Sequence, residues 1–414
     1  MEQLQVRAVV TDGCKVAKEP RITSPRGFRA AGLHAGIKRK RKDLGMIVCE
    51  VPASAAAVYT MNAFQAAPLK VTREGLEVEG RMQAMIVNSG NANACTGRRG
   101  LDDARRMRQE TARQLKIPEH LVGVVSTGVI GEPLPMDRML RAIPGLVEQL
   151  APEGQDSFCR SILTTDTFTK ASEVRLTVQG KEVRVAGAAK GSGMVHPNMA
   201  TMLAFINTDA AVEPPVLQRI LRKVTDQTFN MITVDGDCST NDMVTAMASG
   251  LAGNEPLTED HPDWPAFCRA FAHVARDLAR QIARDGEGAT RLVEVTVTGA
   301  ETEEGARRAA KAIVGSSLVK TAVFGADPNW GRIVCALGYS GAIFDPDRVE
   351  VYIGSICAVR DGRPVPMDEA AGRRELEQDP VRLRVNLNRG AAQATAWGCD
   401  LTYDYVRINA SYRT

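Results

Sequence analysis

The stretch Lys190-Gly191-Ser192-Gly193-Met194-Val195-His196-Pro197-Asn198-Met199-Ala200-Thr201-Met202-Leu203-Ala204-Phe205-Ile206 runs from a polar, glycine-rich loop straight into an apolar strand, with Thr201 at the junction. Gly191, Gly193 and Pro197 permit an unusual backbone path, and the small Ala200 leaves the peptide bond before Thr201 uncrowded. A hydroxyl at such a corner can attack the preceding carbonyl carbon, and hydrolysis of the resulting ester frees Thr201 as a new N-terminus. Its α-amine, with a reference pKa of about 7.7–8.0, can then take the proton of its own hydroxyl. That is the threonine form of nucleophilic catalysis. Composition alone leaves Thr201 as a strand threonine, the commoner use of a β-branched residue.

The elements that must position this segment alternate between strand-like and helical patterns. Gln83 to Val87 is a short apolar run ending at Asn88-Ser89-Gly90, and Val122 to Val125 stops at Ser126-Thr127-Gly128. Residues 101–116 approximate a helical stripe, and longer helices are expected at 214–228 and 264–284, the second stopping at Gly286. Val174–Leu176 and Val183–Val185 flank Gln179-Gly180, a hairpin signal. The apolar window from Leu44 to Met61 contains Glu50 and Pro52 and reads as strand, turn and strand, not as a membrane span. Near Thr290 the pattern shifts to alternation over Arg291–Thr298, a helix over 302–319 and a strand over 349–359. A boundary at 289/290 is expected, with residues 290–414 forming a smaller α+β domain.

Several chemistries lack their residues. The five histidines show no pairing, and no Cys/His group has metal-ligand spacing, so no metal is expected. There is no phosphate-binding G-x-x-x-x-G-K-[ST] loop and no nucleophile elbow of the G-x-S-x-G type. Lys and Arg number 52 against 49 acidic residues, too even a balance to imply nucleic-acid or membrane partners for the whole chain. The one local exception is Lys38-Arg39-Lys40-Arg41-Lys42, which could bind phosphate or serve as a localisation signal but more often is a solvated loop. Nine scattered cysteines without a C-x-x-C pair, and an N-terminus without an apolar core, point to a soluble, cytoplasmic protein.

The central segment closely resembles the K-G-S-G-M-x-H-P-N-M-A-T-M-L signature of the ornithine acetyltransferase (glutamate N-acetyltransferase) family of arginine biosynthesis. Asn88–Gly97, Ser126–Gly131, Thr164–Thr167, Thr233–Asp237, Asp285–Thr290, Phe324–Arg332 and Tyr405–Ala410 resemble further family motifs in the same order, so the likeness spans nearly the whole chain. One departure is Thr169, where the family usually carries proline.

The resemblance implies an α/β fold, an α/β/β/α layered sandwich of the self-processing type over 1–289 with the smaller domain behind it. It implies cleavage between Ala200 and Thr201, with Thr201 as the nucleophile that becomes acetylated. Thr127, through its hydroxyl, and Gly128, through its backbone N–H, would stabilise the oxyanion. Thr164, Lys190, Glu287, Asn409 and Thr414 would bind substrate, although Thr165 competes with its neighbour Thr164 for that role, and Thr414 requires the C-terminal tail to fold back. The implied substrates are N2-acetyl-L-ornithine and L-glutamate, and the implied assembly is α2β2. No cofactor is implied; acetyl-CoA enters as an alternative acetyl donor, which would make the enzyme bifunctional. His196 is expected to act structurally or in cleavage, and Asp235 and Asp237 as turn residues. A hydrolase on the same scaffold, releasing the acyl group to water, is the competing chemistry.

Overall fold

The computed structural model describes residues 14–196 and 202–411. Nine strands form one strongly bent sheet. They are β1 (Lys15–Val16), β2 (Phe28–Leu33), β3 (Leu44–Tyr59), β4 (Arg81–Asn91), β5 (Val122–Val129), β6 (Lys170–Val178), β7 (Lys181–Lys190), β8 (Leu203–Thr208) and β9 (Met243–Ala248). Their order is β1-β6-β7-β8-β9-β3-β4-β5, with β2 paired to β3. The pairs β4/β5 and β8/β9 are parallel and the other pairs antiparallel.

Alternation along the strands builds the layers. Met46, Val48, Ala84, Ile86 and Val124 pack on Met107 and Met139, which belong to the helices Gly97–Leu115 and Met136–Glu148. The intervening residues Ile47, Met85, Val87 and Val125 face inward, where they meet Ala188, Leu203, Phe205, Met243 and Met247 of the other half of the sheet. Behind that half, Ala204, Ile206, Val244 and Ala246 contact the helices Pro214–Gln227 and Trp264–Arg284 through residues such as Leu221, Phe271 and Leu278. Helix, sheet, sheet and helix are thus stacked in an α/β/β/α sandwich.

The bend lies in β3. Leu44–Val48 pairs with β2 and β4, whereas Ser54–Tyr59 pairs with β9, and the register shifts between Val48 and Ala53. Pro52 lacks an N–H for the ladder and lies exposed at that shift. What the sequence suggests as strand, turn and strand is therefore one continuous strand that turns a corner.

A second sheet follows, made of β10 (Leu292–Ala300), β11 (Glu350–Ile353), β12 (Ile356–Arg360), β13 (Arg363–Pro364), β14 (Val381–Asn386) and β15 (Ala392–Cys399), in the order β13-β12-β11-β14-β10-β15. Its apolar face, with Val295 and Leu383 packed in one cluster with Ile313 of the following helix, is continuous with the core that holds Phe271 and Leu278. Two expectations are corrected here. The single helix over 302–319 is two, Glu303–Gly315 and Ser317–Phe324, because the Ser316 hydroxyl accepts the Val319 N–H at 3.3 Å and caps a new start. The single strand over 349–359 is a hairpin, broken at Gly354, whose φ is +58°. The Gln179-Gly180 hairpin stands as read, with both residues at positive φ as a type I′ turn requires. Among the described residues no helix is long and apolar enough to cross a membrane.

Candidate active site

The ends of β5 and β7 and the start of β8 meet at a cavity of about 370 Å³ lined by residues remote in sequence, among them Thr127, Thr164, Lys190, Asp242, Glu287 and Asn409. Parallel pairing of β4 and β5 sets Ser89 against Thr127 and Gly90 against Gly128. A Cβ at Gly128 would lie 2.3 Å from the Gly90 carbonyl carbon, and φ at Gly128 is +132°, so only glycine fits this approach. Thr127 is held from beneath: the Asn241 side-chain amide donates to the Ser126 carbonyl at 2.8 Å and to that of Ala92 at 2.6 Å.

Lys190 closes β7 and is buried, its Nζ 2.8 Å from Thr164 Oγ1 and 3.4 Å from Thr127 Oγ1. Burial lowers its pKa, while the carboxylates of Asp166, Asp242 and Glu287 act in the opposite sense. Asp166 is fully buried. Burial would raise its pKa, but the ammonium groups of Lys170 and Lys190 and the Gly191 N–H, donated at 2.7 Å, hold it well below the usual carboxylate range. Lys170 also pairs with Asp285 at 2.5 Å, and Asp285 accepts the backbone N–H of Thr167. This buried ionic group fixes the loop 164–167 against the end of β7. Thr165 turns aside to Ser192, its hydroxyl 2.7 Å from that of Ser192. Of the adjacent pair, Thr164 is the one whose hydroxyl meets Lys190.

Glu287 and Asn409 come together although 122 residues apart, Asn409 Nδ2 donating to Glu287 Oε2 at 2.8 Å. Gly193 makes room: a Cβ there would approach the Glu287 carboxylate to 2.4 Å. The final helix, Tyr403–Ser411, lines the cavity through Tyr405 and Asn409. Ala200, Thr201 and Thr414 lie outside the described residues, as does Pro197.

Residues on either side of the segment 197–201 are held by hydrogen bonds. Asp235 accepts the N–H groups of Met194 and Val195 at 2.7 and 2.8 Å and that of Asp237 at 3.3 Å, the work of a turn carboxylate. On the far side, Met243 N–H donates to the Met202 carbonyl at 3.0 Å. His196 Nδ1 lies 2.9 Å from Thr233 Oγ1, and burial together with nearby Lys311 lowers its pKa to about 4, so the ring is neutral at pH 7.

Two residues of the site escape sequence reasoning. Asp242 is buried against the cavity with no hydrogen-bond partner for Oδ2, and its pKa is raised well above the ordinary value by burial and then by Cys238, against the pull of Lys190. Lys38, from the basic run, lines the cavity and donates to the Leu163 carbonyl at 2.7 Å. Burial brings it down to about 8 despite the charge of Asp43. Nothing in their local spacing marks either residue; only the packing of distant loops does. Among the described residues no group of three His, Cys, Asp or Glu is placed to hold a metal ion.

A threonine, a lysine and a glycine-only strand end thus meet around one small cavity in a layered α/β fold, and the relatives that share this sequence give its class as acyltransferase. The family model described as the ArgJ family matches residues 29–414. The arginine biosynthesis bifunctional protein ArgJ of Halalkalibacterium halodurans is 59% identical over 394 residues, covering 95% of this chain and 96% of the relative. That of Geobacillus kaustophilus is 58% identical over 393 residues, with 95% and 96% covered. The solved structure of ornithine acetyltransferase complexed with ornithine, from Mycobacterium tuberculosis, is 37% identical with a TM-score of 0.42, covering 45% of this chain and 100% of that one. The chain belongs to the ArgJ family.

Proposed function

We propose that this member of the family is a glutamate N-acetyltransferase that cuts itself between Ala200 and Thr201 and carries acetyl on Thr201 from N2-acetyl-L-ornithine to L-glutamate. The observation that carries this reading is Lys190, a buried ammonium within reach of both the Thr127 and Thr164 hydroxyls inside one cavity. Such a group suits the α-carboxylate that both substrates share. Glu287, buried and oriented by Asn409, suits the side-chain ammonium of acetylornithine.

In the proposed cycle the Thr201 hydroxyl attacks the acetyl carbonyl carbon while its α-amine takes the hydroxyl proton. The oxyanion is met by the Thr127 hydroxyl and the Gly128 N–H. Collapse breaks the C–N bond, and ornithine leaves with that proton. Glutamate's α-amine then attacks the threonine ester and gives up a proton to the Thr201 α-amine, which passes it to the threonine oxygen as the ester C–O bond breaks. Acetyl-CoA enters as a second donor, with its thiol as the leaving group; the word bifunctional in the relatives' names supports this. The two fragments, 1–200 and 201–414, stay together because Thr127, Lys190 and Glu287 meet in one cavity from both sides of the cut; two of each make the proposed α2β2 enzyme of the cytoplasm.

Measuring ornithine release from acetylornithine with and without glutamate tests the proposal. Release should depend on glutamate. Equal release in its absence would make the enzyme a hydrolase.

A further inference from the structure

The basic run absorbed by no part of this scheme lies in the loop between β2 and β3. We propose that Lys38–Lys42 form the rim site for the phosphate groups of a nucleotide-bearing acyl thioester, whose acetyl end enters the cavity beside Thr127. This inference rests on the reading of acetyl-CoA as a second donor.

The loop is built, not loose. The buried carboxylate of Asp43 accepts the backbone N–H groups of Ala35, Ile37 and Lys38 at 2.5, 2.7 and 2.8 Å. Arg138 donates to the Gly36 carbonyl at 2.7 Å, and Lys42 Nζ to that of Gly32 at 2.7 Å. Two side chains tie the loop to the cavity wall: Lys38 reaches Leu163, and Arg41 reaches the Thr164 carbonyl at 3.4 Å. Arg39 and Lys40, between these two anchors, are exposed.

Charge makes the arrangement informative. Many arginines on the surface of this protein pair with a carboxylate, among them Arg113, Arg160, Arg219 and Arg389. None of the five cations from Lys38 to Lys42 forms an ion pair among the described residues, and the one acid beside them, Asp43, has its oxygens turned to backbone amides and, at 3.1 Å, to His34 Nδ1. Adjacent cations on one anchored loop repel each other, and a polyanion relieves that repulsion. Acetylornithine and glutamate are small enough for the cavity and offer nothing to reach its rim. A donor that carries phosphates outside the cavity does, and guanidinium and ammonium groups are the partners phosphate takes.

The test is a kinetic split in the full-length enzyme with Arg39→Gln and Lys40→Gln combined, two exposed positions outside the catalytic machinery. With glutamate as acceptor, KM for acetyl-CoA should rise about tenfold, as loss of two exposed charge contacts allows, while kcat/KM for acetylornithine holds. Acetyl-pantetheine, which lacks the nucleotide phosphates, should be used equally by both enzymes. An unmoved KM for acetyl-CoA overturns the site, as does a parallel loss with both donors. Coenzyme A as an inhibitor of the acetylornithine reaction separates the two readings. Inhibition that the double variant loses upholds the rim site even if the thioester is never turned over, whereas absence of inhibition in the unaltered enzyme overturns it.

Discussion

Lys190 and Thr164, both lining the cavity, share a hydrogen bond of 2.8 Å, whereas Thr165 is engaged with Ser192. The two adjacent threonines therefore carry different expectations. Thr164→Val should raise KM for acetylornithine and glutamate together by about tenfold, the loss of one hydrogen bond to a charged group. Thr165→Val should leave both within about twofold. Steady-state kinetics on the pair decide the matter, and the reverse ranking would move the substrate carboxylate to Thr165.

Thr127 sits at the end of β5, anchored through Ser126 and Asn241. If it serves the proposed cycle as the oxyanion donor, removing its hydroxyl should lower kcat about 100- to 1,000-fold with little change in KM. Self-cleavage passes through an oxyanion at a different carbonyl, so the Thr127→Ala protein should be assayed after its fragment pattern is recorded. A rise in KM with kcat intact would assign Thr127 to ground-state binding.

Lys170 is buried between Asp166 and Asp285 at 2.8 and 2.5 Å. Lys170→Met leaves two carboxylates without their cation in the interior, which costs about 3–5 kcal/mol. Denaturant unfolding should report that loss. Because Asp166 has a lowered pKa, its contribution to stability is present above the unfolded value and lost as pH falls through the folded one, so acid should unfold the protein with Asp166 among the groups responsible.

Asp242 runs the opposite way. Its pKa is raised, so between the ordinary carboxylate value and the folded one the native state binds more protons than the unfolded chain, and stability falls as pH rises through that window. Asp242→Asn removes this dependence and should flatten the stability profile above the ordinary carboxylate value while keeping the fold. The profile, measured by denaturant titration at several pH values, would be unchanged if Oδ2 met an unseen partner.

Much of this was legible in the residues, for reasons that differ. The hairpin at Gln179-Gly180 and the helices near 214 and 264 follow from local rules, turn chemistry and 3.6-residue periodicity. Gly128 and Gly193 carry readable glycines, but the reason for each, a crossing of Gly90 or an approach of Glu287, lies across the fold. Asp242 and Lys38 were not legible because a lone acid after Asn241 and one lysine in a basic run look like any others; burial by distant loops gives them meaning. Periodicity also merged what packing separates, since Ser316 and Gly354 interrupt elements whose hydrophobic pattern runs on.

The central claim is that Thr201 is both the cut end and the acetyl carrier. Intact-mass spectrometry of the purified protein, before and after addition of acetylornithine without glutamate, tests it most directly. The account predicts two chains, 1–200 and 201–414, with the second gaining one acetyl group on its first residue and losing it when glutamate is added, and a single uncut chain for Thr201→Ala. One intact chain from the unaltered protein, or an acetyl group on the first fragment, would contradict it.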